Sequence, residues 1–344
     1  MKIAIIADTH FGARKNSKYF MEVQRKFYED CFFPYLRKND IKNIIHLGDF
    51  FDNRKTVNFE TLRHAMDCFI NPLIESEITL HILMGNHDSY YKSNGELSST
   101  KLLFDKEPNI YVFDSLSHIN LGGRSMLMVP WIFPIQREEI SDIIQLSTDE
   151  ICCGHFEMMG VIQQGTRVSK KGIDTGIFSH YSHVFSGHFH KKSRYYVGSP
   201  YQMSWSDYDD SKRIIIYDTE FDTTEDVYLS EDIFFKIEYP LPDGQKSLYL
   251  SECKDKIIRI LVKSKEDPKD FEEFISKLES IGPHEIDIKE EHLYINTIGD
   301  DIDDDMDTLS ILLLSVDEIE GLTKNDKFVI QTILKQLYEK ANEQ

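Results

Sequence analysis

The chain has 344 residues, 41% of them hydrophobic, and carries 59 Asp and Glu against 39 Lys and Arg for a formal charge of −20. That length exceeds a typical single domain and the apolar share fills a real core, which excludes a disordered chain and points to one large domain with smaller units. No apolar run approaches the roughly 18 residues of a membrane span, and the start MKIAIIADTH is too short and too soon charged for a signal peptide, so a soluble, cytoplasmic protein is expected.

Short apolar runs alternate with helical stretches along the first two hundred residues. Lys2–Asp8 and Asn43–Asp49 are unalternating runs, the pattern of strands covered on both faces. Between them Tyr19–Lys38 reads as a helix interrupted near Pro34, and Val57–Ile70 as a second helix ended by Asn71-Pro72. Thr79–Met84, Ile110–Phe113, Ser125–Val129, Glu150–Cys153, His183–Ser186, Tyr195–Val197 and Arg213–Asp218 are strand-like. The series predicts an α/β sandwich of two mixed sheets with helices on both faces, over residues 1–232.

A second unit follows over 233–298. Lys256–Lys263, Pro268–Ile281 and Glu285–Ile295 form a strand-helix-strand pattern, with Pro at the helix start and Gly282 at its end, which reads as a small α+β cap. Residues 299–307 then form an acidic linker; a calcium loop would need its glycine and terminal glutamate elsewhere. Over 308–344 two amphipathic helices surround Gly321, with Leu309, Leu312, Leu313 and Val316 on the first and Phe328, Ile330, Ile333, Leu334 and Leu337 on the second. Such helices either fold back on the body or fill a partner's groove. The five cysteines (Cys31, Cys68, Cys152, Cys153 and Cys253) have no CxxC spacing and are read as reduced thiols.

Five motifs carry the chemistry: Asp8-Thr9-His10, Gly48-Asp49, Gly85-Asn86-His87-Asp88, Gly154-His155 and Gly187-His188-Phe189-His190. Each follows a strand-like run, where loops converge over the sheet edge. Asp8 and His10, like His188 and His190, are two apart and share a face in extended backbone. The Asp, Asn and His types fit two hard or borderline divalent ions, manganese first and magnesium as an alternative, with Asp49 as the carboxylate that bridges them. Two such ions clamp a phosphate, activate water and offset charge on a leaving oxygen. One Asp-x-His alone carries little information; all five motifs in this order carry a great deal. His46 and His81, inside apolar runs, are expected to be satisfied core imidazoles, and His64, His118, His180, His183, His284 and His292 receive no role.

At these residues the chain resembles the calcineurin-like metallophosphoesterase superfamily and, within it, the SbcD-type recombination and double-strand-break-repair nucleases. IADTHFG, LGDFFDNRK, LMGNHD, the GHF…GHFH spacing and VGSPYQMSWSD carry the resemblance, which spans essentially the whole chain. Compact size makes it similar to the T-even phage branch of that group, which would place it in a host cytoplasm. The resemblance implies a Mn2+-dependent 3′→5′ exonuclease and endonuclease acting on DNA. It implies one metal on Asp8, His10, Asp49 and His190, and a second on Asp49, Asn86, His155 and His188. It makes His87 the general acid or transition-state stabiliser beside the scissile phosphate, with Asp88 orienting its ring. A second histidine that some members carry after the Gly-Asp motif is absent, with Asp52 and Asn53 in that stretch. The resemblance further implies a homodimer through the helices around 19–38 and 57–70, and C-terminal helices that grip an SMC-like ATPase of the SbcC type.

Arg14-Lys15, Arg54-Lys55, Lys170-Lys171 and Lys191-Lys192 with Arg194 are candidate phosphate contacts or solvated pairs. With a net charge of −20 a partner is expected to supply most of the DNA affinity. A phosphatase or cyclic-nucleotide phosphodiesterase on the same metals is the first alternative. Phe-Phe-Asp-Asn-Arg after Gly48-Asp49 departs from the Asp-Arg-Gly of protein phosphatases, and a substrate panel separates these readings. A non-catalytic scaffold is the second alternative, which bound divalent metal would oppose.

Overall fold

The computed structural model describes residues 1–164, 167–241, 252–264 and 268–290, together with 313, 316, 323, 326–327 and 329–334. In chain order, β1 (Lys2–Ile6) leads through helix α1 (18–38) to β2 (Asn43–His46), and α2 (59–75) leads to β3 (Thr79–Leu83). Helix α3 (Ser99–Phe104) precedes β4 (Ile110–Phe113), then β5 (Ser117–Leu121) and β6 (Arg124–Val129) form a hairpin. Helix α4 (Arg137–Leu146) leads to β7 (Ile151–His155), a short ribbon of β8 (Ile162–Gln164) and β9 (Arg167–Val168), and β10 (His183–Gly187). Strands β11 (Ile214–Asp218) and β12 (Thr223–Val227) return to the first sheet.

One sheet runs β12-β11-β1-β2-β3-β4 and the other β10-β7-β6-β5. Strands β1 to β4 are mutually parallel, as are β6, β7 and β10. Ile3, Ile5, Ala7 and Ile45 point between the sheets, against Met126, Met128, Ile151 and Cys153. Their neighbours Ala4, Ile6, Ile44 and Ile82 point the other way, onto Phe27, Tyr28, Phe32, Phe33 and Phe69 of α1 and α2. Leu127, Val129 and Cys152 face Ile144 and Phe178 on the far side of the second sheet. Burial on both faces is why these strands lack polar alternation. This is the expected four-layer sandwich.

Both long helices differ from expectation at their prolines. α1 widens to π-helix over Phe27–Phe32 and α2 over Met66–Ile70, just ahead of Pro34 and Pro72. Proline lacks the N–H of the ladder and its ring crowds the carbonyl a turn back, and a wider turn makes room for it. So α2 does not end at Asn71-Pro72 but runs on to Glu75. It starts at Phe59, where the Asn58 side chain accepts from the Thr61 amide at 2.7 Å.

Strands β13 (Phe234–Tyr239) and β14 (Ile257–Val262), helix α5 (Pro268–Ile281) and β15 (Glu285–Glu290) form a separate parallel sheet, β13-β14-β15, with Phe274 and Leu278 of α5 in its core. It meets the sandwich through Phe20 against Ile233, Phe234 and Ile257, and through the Tyr19 ring stacked on His284 at 3.8 Å. Residues 299–307 and most of the two C-terminal helices lie outside the described residues. Of their apolar positions, Val316 is buried, and Gln331 donates to the Leu313 carbonyl at 3.0 Å. No described helix is long and apolar enough to cross a membrane.

Candidate metal centre

The five motifs occupy the C-terminal ends of β1, β2, β3, β7 and β10. The first three strands are parallel neighbours in one sheet, the last two in the other, so all five loops emerge at one end of the sandwich. Two glycines let the loops touch. A Cβ on Gly48 would lie 2.7 Å from the Gly85 backbone, and one on Gly85 would collide with the Asp49 amide and carboxylate. Asp8, His10, Asp49 and His188 all hold positive φ, at 53°, 42°, 56° and 97°. For residues with a Cβ this costs about 1–3 kcal/mol each and persists where surrounding contacts impose it.

Among the described residues, two groups bring His and carboxylate atoms within 4.8 Å of one another: Asp8, His10 and His190, and Asp49, His155 and His188. In the first, the Nε2 atoms of His10 and His190 face each other at 3.1 Å. In the second, Asn86 Oδ1 lies 2.9 Å from both His155 Nε2 and His188 Nδ1. Asp49 stands between the groups, with Oδ2 3.3 Å from His155 Nε2 and 3.7 Å from His10 Nε2. The structure thus brings these seven side chains together in two adjoining groups, with Asp49 facing both.

The donor set fits divalent ions. Cis ligands at bonds of about 2.1 Å sit about 3 Å apart, close to the spacings found here. Asp8 is fully buried; its Oδ1 accepts from the His188 amide at 2.9 Å, while Oδ2 has no partner among the described residues. A buried carboxylate oxygen left open is costly unless a cation meets it. The His155 Nδ1–H donates to the Leu47 carbonyl at 2.7 Å, which leaves Nε2 as the bare ligand nitrogen. Burial works against a charged His155, yet the Asp49 carboxylate and Asp8 raise it to about 9. Burial likewise opposes charge on His10, and Asp52 and Asp49 lift it to about 9. Burial and His155 hold His188 well below the usual range, and burial and His10 push His190 down to about 3. The pocket therefore favours positive charge while keeping two imidazoles neutral, the state that binds metal.

Residues 1–192 match the family model described as calcineurin-like phosphoesterase, more than half of the chain. The chain belongs to that family. It is also similar to exonuclease subunit 1 of Enterobacteria phage T4, at 26% identity over 351 positions that cover all of both chains. It is thus a metal-dependent phosphoesterase, and all of its candidate ligands lie within the matched residues.

The roles expected inside Gly85-Asn86-His87-Asp88 need one correction. Asp88 does not orient the His87 ring. Its buried carboxylate accepts the amides of Asp49 and Gly85 at 2.8 Å and of Phe50 at 3.0 Å, which pins the β2 and β3 loops together. The His87 Nδ1 instead meets the Asp52 carbonyl at 2.5 Å, and the His87 amide donates to Asp49 Oδ1 at 2.8 Å.

Several supports carried no motif. Gln24 on α1 donates to the Thr9 carbonyl at 3.0 Å, as does the Tyr201 hydroxyl at 2.5 Å. Buried Lys212 donates to the His190 carbonyl at 2.9 Å while paired with Asp207 and Asp210. Trp131 lies against His188, with ring centroids 5.0 Å apart. His46 is satisfied as expected: it meets Thr9 Oγ1 at 2.9 Å and accepts from the Gly48 amide at 3.2 Å. His81 is not: neither ring nitrogen has a partner among the described residues, burial pushes it down to about 4, and its ring stacks on Tyr111. Of the basic pairs, Arg14 donates to the Met203 carbonyl and Lys192 covers the Tyr228 ring.

Proposed function

We propose that this chain is a DNA nuclease that hydrolyses phosphodiester bonds with two divalent ions, Mn2+ foremost, as a 3′→5′ exonuclease and endonuclease in recombination or repair. The observation that carries the reading is the pair of ligand groups joined at Asp49, in a chain similar end to end to an exonuclease subunit. Asp8, His10, Asp49 and His190 would hold one ion, and Asp49, Asn86, His155 and His188 the other. When bound, the ions supply charge for the phosphate oxygens and lower the pKa of water.

The chain's own residues do the rest. His87 donates a proton from Nε2 to the leaving 3′ oxygen, with Nδ1–H fixed on the Asp52 carbonyl. Asp88, Gln24 and Tyr201 hold the loops that carry Asp8, His10 and Asp49. Trp131 packs its ring against His188. Residues 1–232 form the nuclease domain, 233–298 a cap that contacts DNA, 299–307 a linker, and 308–344 a segment that binds an SbcC-type ATPase. The helices α1 and α2 serve a homodimer. The relative's designation as a subunit and the charge of −20 both support a partner that shares the DNA affinity. Five free cysteines support a reducing, cytoplasmic setting.

The test is degradation of end-labelled linear duplex and single strands by purified chain with Mn2+ or Mg2+. Wild type is expected to cut, and Asn86→Ala and His87→Ala to lose cutting while remaining folded. Inert DNA beside strong turnover of phosphopeptides or cyclic nucleotides would refute the nuclease reading.

A further inference from the structure

Asp52 lies three residues past Asp49, on the loop after β2, and faces two imidazoles at once. Its main-chain carbonyl meets His87 Nδ1 at 2.5 Å. Its carboxylate Oδ1 lies 3.3 Å from His10 Nδ1. The two rings stand edge to face with centroids 4.9 Å apart. The residue is itself anchored, because its amide donates to the Phe11 carbonyl at 3.0 Å and Asp88 holds the amides of Asp49 and Phe50 just before it.

An acceptor opposite Nδ1 keeps the proton there and turns Nε2 the other way. For His10 that direction is toward His190 Nε2 at 3.1 Å and Asp49 Oδ2 at 3.7 Å. We propose that Asp52 is a positioning residue with divided duties: its carboxylate sets the tautomer and orientation of His10 as a metal ligand, and its carbonyl sets those of His87 as a proton donor. The inference rests on the metal and acid roles proposed above for these two histidines. It also separates them, because a side-chain substitution removes only the first duty.

The experiment is calorimetric titration of Mn2+ into the full chain as wild type, Asp52→Ala and Asp52→Asn, with DNA cleavage measured across Mn2+ concentrations. Loss of a carboxylate behind a ligating histidine typically weakens metal binding ~10–100-fold. Asp52→Ala is expected to weaken one of two ions by that factor and leave the other unchanged. Its kcat should return near wild type at saturating Mn2+, because the carbonyl remains. Asp52→Asn, whose amide oxygen still faces Nδ1–H, should recover part of the affinity, and it decides the matter if Asp52→Ala fails to fold. Wild-type affinity for both ions in both variants, or equal loss of both ions, overturns the proposal. So does a kcat deficit that saturating Mn2+ leaves unchanged. A wild-type chain that binds two ions yet spares DNA sinks the nuclease reading alone, and one that binds none sinks both.

Discussion

Asp88→Ala is the most discriminating substitution outside the ligand set. The Asp88 side chain is fully buried and accepts amide hydrogens from Asp49 and Gly85 at 2.8 Å and Phe50 at 3.0 Å. Alanine would leave those N–H groups without partners where water does not reach. An orphaned buried donor costs about 1–3 kcal/mol, and neighbouring losses are not additive, so roughly 3–6 kcal/mol is expected. Against a typical total of about 5–15 kcal/mol this is severe. Asp88→Asn should cost about half as much, because one oxygen can still serve Asp49 and Gly85 while the amide group turns a donor toward Phe50. The assay is urea unfolding followed by circular dichroism in EDTA, which removes any contribution of bound metal. Unchanged stability with a lowered kcat would refute the reasoning, since that is the result if Asp88 served the His87 ring.

Lys212→Met removes the donor on the His190 carbonyl and strands Asp207 and Asp210 at 3% and 7% exposure. Breaking such a buried pair costs roughly 3–5 kcal/mol, and weaker Mn2+ binding should accompany the fall in thermal midpoint. A variant that melts and binds as wild type would contradict the support assigned to Lys212. For metal-free protein, His10 and His155 sit at about 9 against an ordinary value of 6.5. A folded value above the unfolded one gives stability that is complete below pH 6.5 and lost as pH rises through 9, worth at most roughly 3 kcal/mol for each. Asp8, raised to about 6 by burial, acts in the same sense, since its folded value also lies above the unfolded one, but at lower pH, between 3.8 and 6. The melting temperature in EDTA should therefore fall from pH 6.5 to 9, and added Mn2+ should oppose the fall because it takes the bare Nε2; a flat profile in EDTA would contradict it.

The strand-end loops were legible because apolar runs such as Lys2–Ile6 and Asn43–His46 are buried on both faces and stop abruptly at Asp or Gly-Asp. The edge strand β12 was not, since Thr223–Val227 is polar, mostly exposed and paired on one side. The π-turns before Pro34 and Pro72 escaped because helical periodicity continues through them. Asp88 was misread for its place beside His87: adjacency in sequence said nothing of where the carboxylate points, although Asp in a Gly-rich turn commonly accepts local amides. Asp52 meets His87 through its carbonyl, a contact that no side-chain pattern can reveal. Lys212 reaches His190 only through tertiary packing.

Diffraction from Mn2+-soaked crystals at the manganese absorption edge tests the central claim most directly. Two anomalous peaks about 3.5–4 Å apart are expected, one beside Asp8, His10 and His190 and the other beside Asn86, His155 and His188, with the Asp49 carboxylate between them. A single peak, or two peaks that do not share Asp49, would contradict the dinuclear centre.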